Sequence, residues 1–143
     1  MYEVKYKVYE NSQKDEKCKP IMLDDKEVYL DLGAFFSIYH TKPITLLITA
    51  HYDKDNREIL TENIPQLNNY GSHVAINPDL KNKEIINKLK DLSILSNTID
   101  KVEHDGKEYE IVKVDIDILK EYKPVGVDIL SYFKMKEPKE ISK

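Results

Sequence analysis

The sequence predicts an α+β domain: a mainly antiparallel sheet of about five to seven strands, with one main amphipathic helix over about 83–92 and short helices. Three observations carry this expectation. The run Ile44–Ala50 is uncharged and apolar on both alternating sets, as a strand covered on both faces must be. Asp105–Gly106 stands between two β-like runs, the strongest short-range signal of a hairpin. Ile85, Ile86, Leu89 and Leu92 recur at helical spacing between polar positions.

Length and composition bound the rest. A chain of 143 residues is the size of one domain. We expect residues 1–133 to form it and 134–143 to be a frayed, charged tail. The hydrophobic share of 41% is enough to fill a core, outside the range of disorder. The net charge is −4, and lysines concentrated near both ends leave the middle more acidic than that total. An acidic body argues against nucleic acid as a direct partner, because binding phosphates needs a basic face. A single cysteine, Cys18, permits no internal disulfide and fits a reducing cytoplasm. No segment is long and apolar enough to cross a membrane, and Met1–Lys5 does not begin a secretory leader.

In chain order, Tyr2–Glu10 alternates as a half-buried strand. Residues 11–20 are polar and read as a loop. Ile21–Leu23 and Lys26–Leu32 flank Asp24–Asp25 as a hairpin, broken at Gly33. Phe35, Phe36, Ile38 and Tyr39 are spaced for a short helical turn within Ala34–His40. Ile44–Tyr52 is the central strand. Asp53–Asn56 is a turn of residues that tolerate unusual backbone angles, and Glu58–Ile64 returns beside the central strand. Gln66–Ser72 is a loop and His73–Ile76 a short strand. Asn82 is placed to cap the helix, with Glu84 in its first turn. In the Asp105–Gly106 hairpin a two-residue loop sets Val102 opposite Tyr109, Lys101 opposite Glu110 and Glu103 opposite Glu108. The last pair is repulsive: it either splays at an exposed tip or receives a cation. Asp117 is placed to cap a helix over Ile118–Lys123. The apolar cluster Val125–Phe133 needs cover, from the domain's own core or from a partner.

Residues of catalytic type are present without catalytic spacing. Asp53–Lys54–Asp55 begins like a calcium loop, but the following positions hold Arg57, Glu58 and Ile64 where the pattern needs a ligand, glycine and glutamate. His40, His51, His73 and His104 lie in four separate segments with no metal-ligand spacing. Cys18 has only Lys17 and Lys19 beside it. Four glycines leave little room for phosphate-cradling loops. We therefore expect no catalytic residues, no cofactor and no metal. Ten tyrosines with no tryptophan supply packing, and those at element ends, such as Tyr52 and Tyr70, suit a protein-binding face.

One stretch resembles a known group. Leu60–Thr61, Asn63–Pro65, Asn69–Tyr70 and His73–Asn77, then the helix at Lys83–Leu92, Tyr109 and Asp115–Ile118, are similar to an uncharacterised small domain family. Its members occur in phages, plasmids and conjugative elements of low-GC Gram-positive bacteria. The likeness spans roughly residues 26–122 and brings no catalytic residues with it. It implies an accessory protein of a mobile element. Small acidic proteins of that kind often bind host proteins, including the nucleases of CRISPR and restriction systems.

The expectation is thus a non-enzymatic, cytoplasmic protein that binds a host protein, most concretely inhibiting a defence nuclease. Its contact face would gather Asp24, Asp25, Asp53, Asp55, Tyr70, Glu103 and Asp105. The alternative is a structural protein that self-assembles, with Val125–Phe133 packed across a homodimer. A small-molecule binder or enzyme with an unrecognised site is the third reading.

Overall fold

The computed structural model describes residues 2–5, 18–37, 43–53, 55–67, 72–124, 126 and 130. Among these residues the chain is mainly β, with nine strands in two antiparallel sheets and only two α-helices. The first sheet comprises β1 (Tyr2–Lys5), β2 (Ile21–Leu23), β3 (Lys26–Ser37), β4 (Pro43–His51) and β5 (Arg57–Ile59). Its path is β1-β3-β4-β5, with β2 also paired to β3. The second comprises β6 (Thr61–Glu62), β7 (His73–Ile76), β8 (Asp100–His104) and β9 (Lys107–Lys113), in the order β6-β7-β9-β8.

β4 is central, as its double apolar pattern requires. Leu46, Ile48 and Ala50 are buried on one face; Thr45, Leu47 and Thr49 are buried on the other. β3 and β5 flank it. The first face of β4 joins Leu30, Leu32 and Ala34 of β3 in the main core. That core also takes Val74, Val112 and Val114 from the second sheet side and Ile85, Ile86 and Leu89 from α1 (Glu84–Asp91). A smaller cluster of Ile64, Leu67, Ala75, Tyr109 and Ile111 lies on the other face of the second sheet.

Leu60 is where the chain changes sheets. Its N–H donates to the Ile48 carbonyl at 2.8 Å, and its own carbonyl accepts from Asn77 at 2.9 Å. Thr61 completes the joint with its side chain. Its hydroxyl accepts from the Ile48 N–H at 3.1 Å and donates to the Leu46 carbonyl at 3.0 Å. The single strand expected over Glu58–Ile64 is therefore two short strands, one in each sheet.

Three further expectations are corrected. The helical turn expected over Ala34–His40 is strand as far as Ser37, because β1 and β4 pair with both edges of this part of β3. Lys83, not Asn82, occupies the N-cap position of α1, although Asn82 Oδ1 still accepts from the Glu84 N–H at 3.1 Å. The last helix, α2, runs Ile116–Glu121, and its cap is Asp115, which accepts from the Ile118 N–H at 3.0 Å. Burial of Ile116 and Leu119 pulls that helix earlier than Asp117.

The hairpin pairs as the two-residue loop dictates: Lys101 with Glu110, Val102 with Tyr109, Glu103 with Glu108. Asp105 and Gly106 have φ of 52° and 81°, as the two central positions of a type I′ turn require. Leu130 is fully buried in the main core, so the apolar segment near the end of the chain contributes there to the domain's own interior. Strand beyond Lys5 and the tail at 134–143 lie outside the described residues.

Candidate functional site

Antiparallel register brings three turns to one end of the strands. The β2–β3 turn, Asp24–Asp25, precedes the start of β3, and Tyr29 there pairs with His51 at the end of β4. The β4–β5 turn carries Asp53 and Asp55, and His51 pairs onward with Arg57. β5 and β6 run on together, and β7 ends beside the start of β6. β9 is antiparallel to β7, so its start, and the Asp105–Gly106 turn before it, point the same way.

Six of the acids read from the sequence thus share this end: Asp24, Asp25, Asp53, Asp55, Glu103 and Asp105. Tyr70 lies outside the described residues. Sequence reasoning missed Asp79 and Glu58, which join the same end through the loop after β7. Asp79 pairs with Lys107 of β9. Glu58 accepts from the Tyr52 hydroxyl at 3.2 Å and from the Lys81 and Asn82 N–H groups at 2.5 and 3.2 Å. No local signal marks their place at this end, since the bonds of Glu58 to Lys81 and Asn82 and of Asp79 to Lys107 join residues far apart in the chain.

The turn at Asp53 is locked by its own side chain. The carboxylate accepts from the Asn56 side-chain amide at 2.8 Å and from the Asp55 and Asn56 N–H groups at 2.8 and 3.0 Å. These bonds, the Asn56 amide foremost, hold the Asp53 carboxyl below the usual range, and Lys26 adds to the effect. The same end carries Lys26, Arg57 and Lys107, so its acids are interleaved with cations. Glu103 and Glu108 face each other on exposed positions of the hairpin. Tyr52 contributes a half-buried ring beside these turns; burial first, then Glu58, raises its phenol well above the ordinary value.

A second polar group is buried. Asp31 on β3 and Thr49 on β4 are directly opposite, and His51 lies on the same face two residues along β4. Their exposures are 3%, 1% and 5%. His51 Nε2 is 3.3 Å from Asp31 Oδ2. Asp31 Oδ1 and Thr49 Oγ1 have no hydrogen-bond partner. The reading of β4 as covered on both faces carried the signal: an acid opposite Thr49 must also be buried. Only the register identifies Asp31 as that acid.

Of the other candidates, His104 is 3.4 Å from Asp105 at the exposed hairpin tip, and His73 is half-buried. Cys18 is half-buried. Two open grooves flank α1: one of about 500 Å³ beside Lys90, Ser96 and Lys113, one of about 360 Å³ between Lys83, Asn87 and Glu108. Among the described residues no three His, Cys, Asp or Glu side chains converge, and no helix is long and apolar enough to cross a membrane.

No family model matches the chain, and no curated protein or solved structure matches it.

Proposed function

We propose that the protein is a non-enzymatic accessory protein of a mobile element that acts in the cytoplasm by binding a host protein. The partner is most concretely a defence nuclease of the CRISPR or restriction type, which it inhibits. The observation that carries this reading is the gathering of three acid-bearing turns at one end of two sheets. A nuclease presents a basic groove to its nucleic acid, and a fixed set of carboxylates beside a tyrosine suits such a groove. The resemblance to a mobile-element family points in the same direction.

The rigidity of the turns supports the reading. The Asp53 carboxylate is tied into its own loop and loses little freedom on binding, and the two-residue turn fixes the backbone that carries Asp105. Self-assembly through the segment after Pro124 has less support, because Leu130 already lies in the chain's own core.

The test is direct binding of the purified chain to a panel of CRISPR and restriction nucleases at low and high salt. The expected result is a complex that weakens as salt rises and inhibits cleavage. Failure to bind any of them at low salt sinks the proposal.

A further inference from the structure

β8 ends the second sheet, and among the described residues no strand pairs with its outer edge. The hairpin register determines which of its backbone groups face outward. A two-residue loop makes His104 and Lys107 a hydrogen-bonded pair, and such pairs alternate along an antiparallel ladder. The N–H and C=O groups of His104, Val102 and Asp100 therefore point to β9, and those of Lys101 and Glu103 point away from it. The Lys101 N–H accordingly takes the carboxylate of its neighbour Asp100 as acceptor, at 2.8 Å. Val102 is half-buried against the cluster of Ile64, Tyr109 and Ile111. With Leu67, Ile99 and Ile111 it borders an open groove of about 450 Å³, and Ile99 is 53% exposed. Apolar surface thus lies open along this edge.

Charges on an edge strand ordinarily keep other strands away. Their order here favours one partner. Turned about a two-fold axis through Val102, the strand meets itself with Lys101 opposite Glu103, Asp100 opposite His104 and Val102 opposite Val102. The axis falls on a pair without hydrogen bonds, so Lys101 and Glu103, whose backbone groups face outward, are the residues that bond across it. The neighbouring registers that keep this bonding centre on Lys101 or on Glu103 and set that residue against its own copy. Glu103, which faces Glu108 within its own hairpin, gains a cation on its other side. Asp100 releases the Lys101 N–H, and His104 its 3.4 Å contact with Asp105, to meet each other across the axis.

From this pattern we infer that β8 is a self-association edge: a second copy of the chain pairs with it antiparallel, centred on Val102, and joins the two second sheets into one. The strand is short, so the dimer exchanges with monomer. This goes beyond the binding function and does not depend on it.

The experiment is sedimentation equilibrium of the full chain over roughly 1 μM to 1 mM, the range in which a small interface is read. The unaltered chain is expected to pass from monomer to dimer. Lys101→Glu and Glu103→Lys each set like charges across the axis and should weaken dimerisation about tenfold. Mixed in equal amounts, these two variants are complementary and should dimerise with each other. The double variant should dimerise like the unaltered chain. A chain that stays monomeric throughout, single variants that dimerise as well as the unaltered chain, or a mixture or double variant that stays monomeric overturns the inference. If a substitution prevents folding, amide hydrogen exchange of the unaltered chain decides. Protection of the Glu103 N–H is expected to rise with concentration, and protection that does not change refutes the interface.

Discussion

Two residues show how much of this fold hangs on single atoms. The Thr61 hydroxyl stands in for backbone at the joint between the sheets, bonding both the N–H of Ile48 and the carbonyl of Leu46. Thr61→Val keeps the shape and strands both groups in the interior, where each costs about 1–3 kcal/mol. We expect a loss of about 2–4 kcal/mol in urea unfolding, and a smaller loss for Thr61→Ser, which keeps the hydroxyl. Gly126 has φ of +82°, and a Cβ there would stand 2.3 Å from the Leu32 carbonyl oxygen. Gly126→Ala must therefore shift the backbone as well as accept a strained φ, and should cost about 2 kcal/mol or more. Titrating residues give a further expectation. The phenols of Tyr29, Tyr52 and Tyr109 are raised, Tyr29 chiefly by its bond to Glu27, the other two chiefly by burial. The native state therefore holds these protons when the unfolded chain, titrating near ~10, has released them. Their contribution is complete below that pH and is lost as pH rises through the folded values. Asp53 and Glu110 are lowered by hydrogen bonds, from Asn56 and Thr98 foremost, so their contribution is present above ~4 and lost on acidification. Unfolding midpoints measured against pH should fall on both sides, and Tyr52→Phe should flatten the alkaline side; an unchanged alkaline slope would count against the Tyr52 assignment.

Among the elements, the β8–β9 hairpin separates stability from function most cleanly. Its register makes Glu103 and Glu108 direct neighbours, a repulsive pair. Glu103→Lys turns that pair attractive and should stabilise the chain by about 0.5 kcal/mol, read from thermal or urea unfolding. The same change places a cation on the proposed contact face and should weaken partner binding. A variant that is more stable and binds less well cannot be explained by damage to the fold. This hairpin was also the most legible part of the sequence, because Asp105–Gly106 fixes the loop length and the loop length fixes every pair. The double apolar set of β4 and the helical stripe of α1 were legible for the same reason: each pattern is local. The sheet change at Leu60 was not, since nothing between Glu58 and Ile64 distinguishes one long strand from two short ones; its cause is Ile48 and Asn77, distant in sequence. Ala34–Ser37 was misread because adjacent apolar residues fit a helical turn as well as a strand paired on both edges. The acids at turns could be read; Asp31 could not be placed, because its burial follows from which residue of β4 it faces.

At the scale of the molecule, the acidic end is a product of antiparallel topology rather than of net charge. Turns between successive antiparallel strands alternate between two ends, and here the Asp24–Asp25, Asp53–Asp55 and Asp105 turns fall at the same one. The chain's charge of −4 is too small for the whole surface to act as an anion, so any steering must come from that end. Asp91 closes α1 and Glu121 closes α2, two exposed acids set in helices rather than in these turns. They provide a matched comparison. Removing two charges by Asp53→Asn and Asp105→Asn, or two by Asp91→Asn and Glu121→Gln, changes the net charge equally. Asn keeps the one oxygen that accepts from the Asp55 and Asn56 N–H groups and gives up only the bond from the Asn56 side-chain amide, and it suits a type I′ turn, so the first pair leaves both loops able to form. If the turns steer association, the first pair should lower the association rate with the proposed partner roughly tenfold and flatten its salt dependence, with less effect on dissociation. The second pair should leave both nearly unchanged. Equal effects from the two pairs would assign the attraction to overall charge and remove the reason to place the contact at this end.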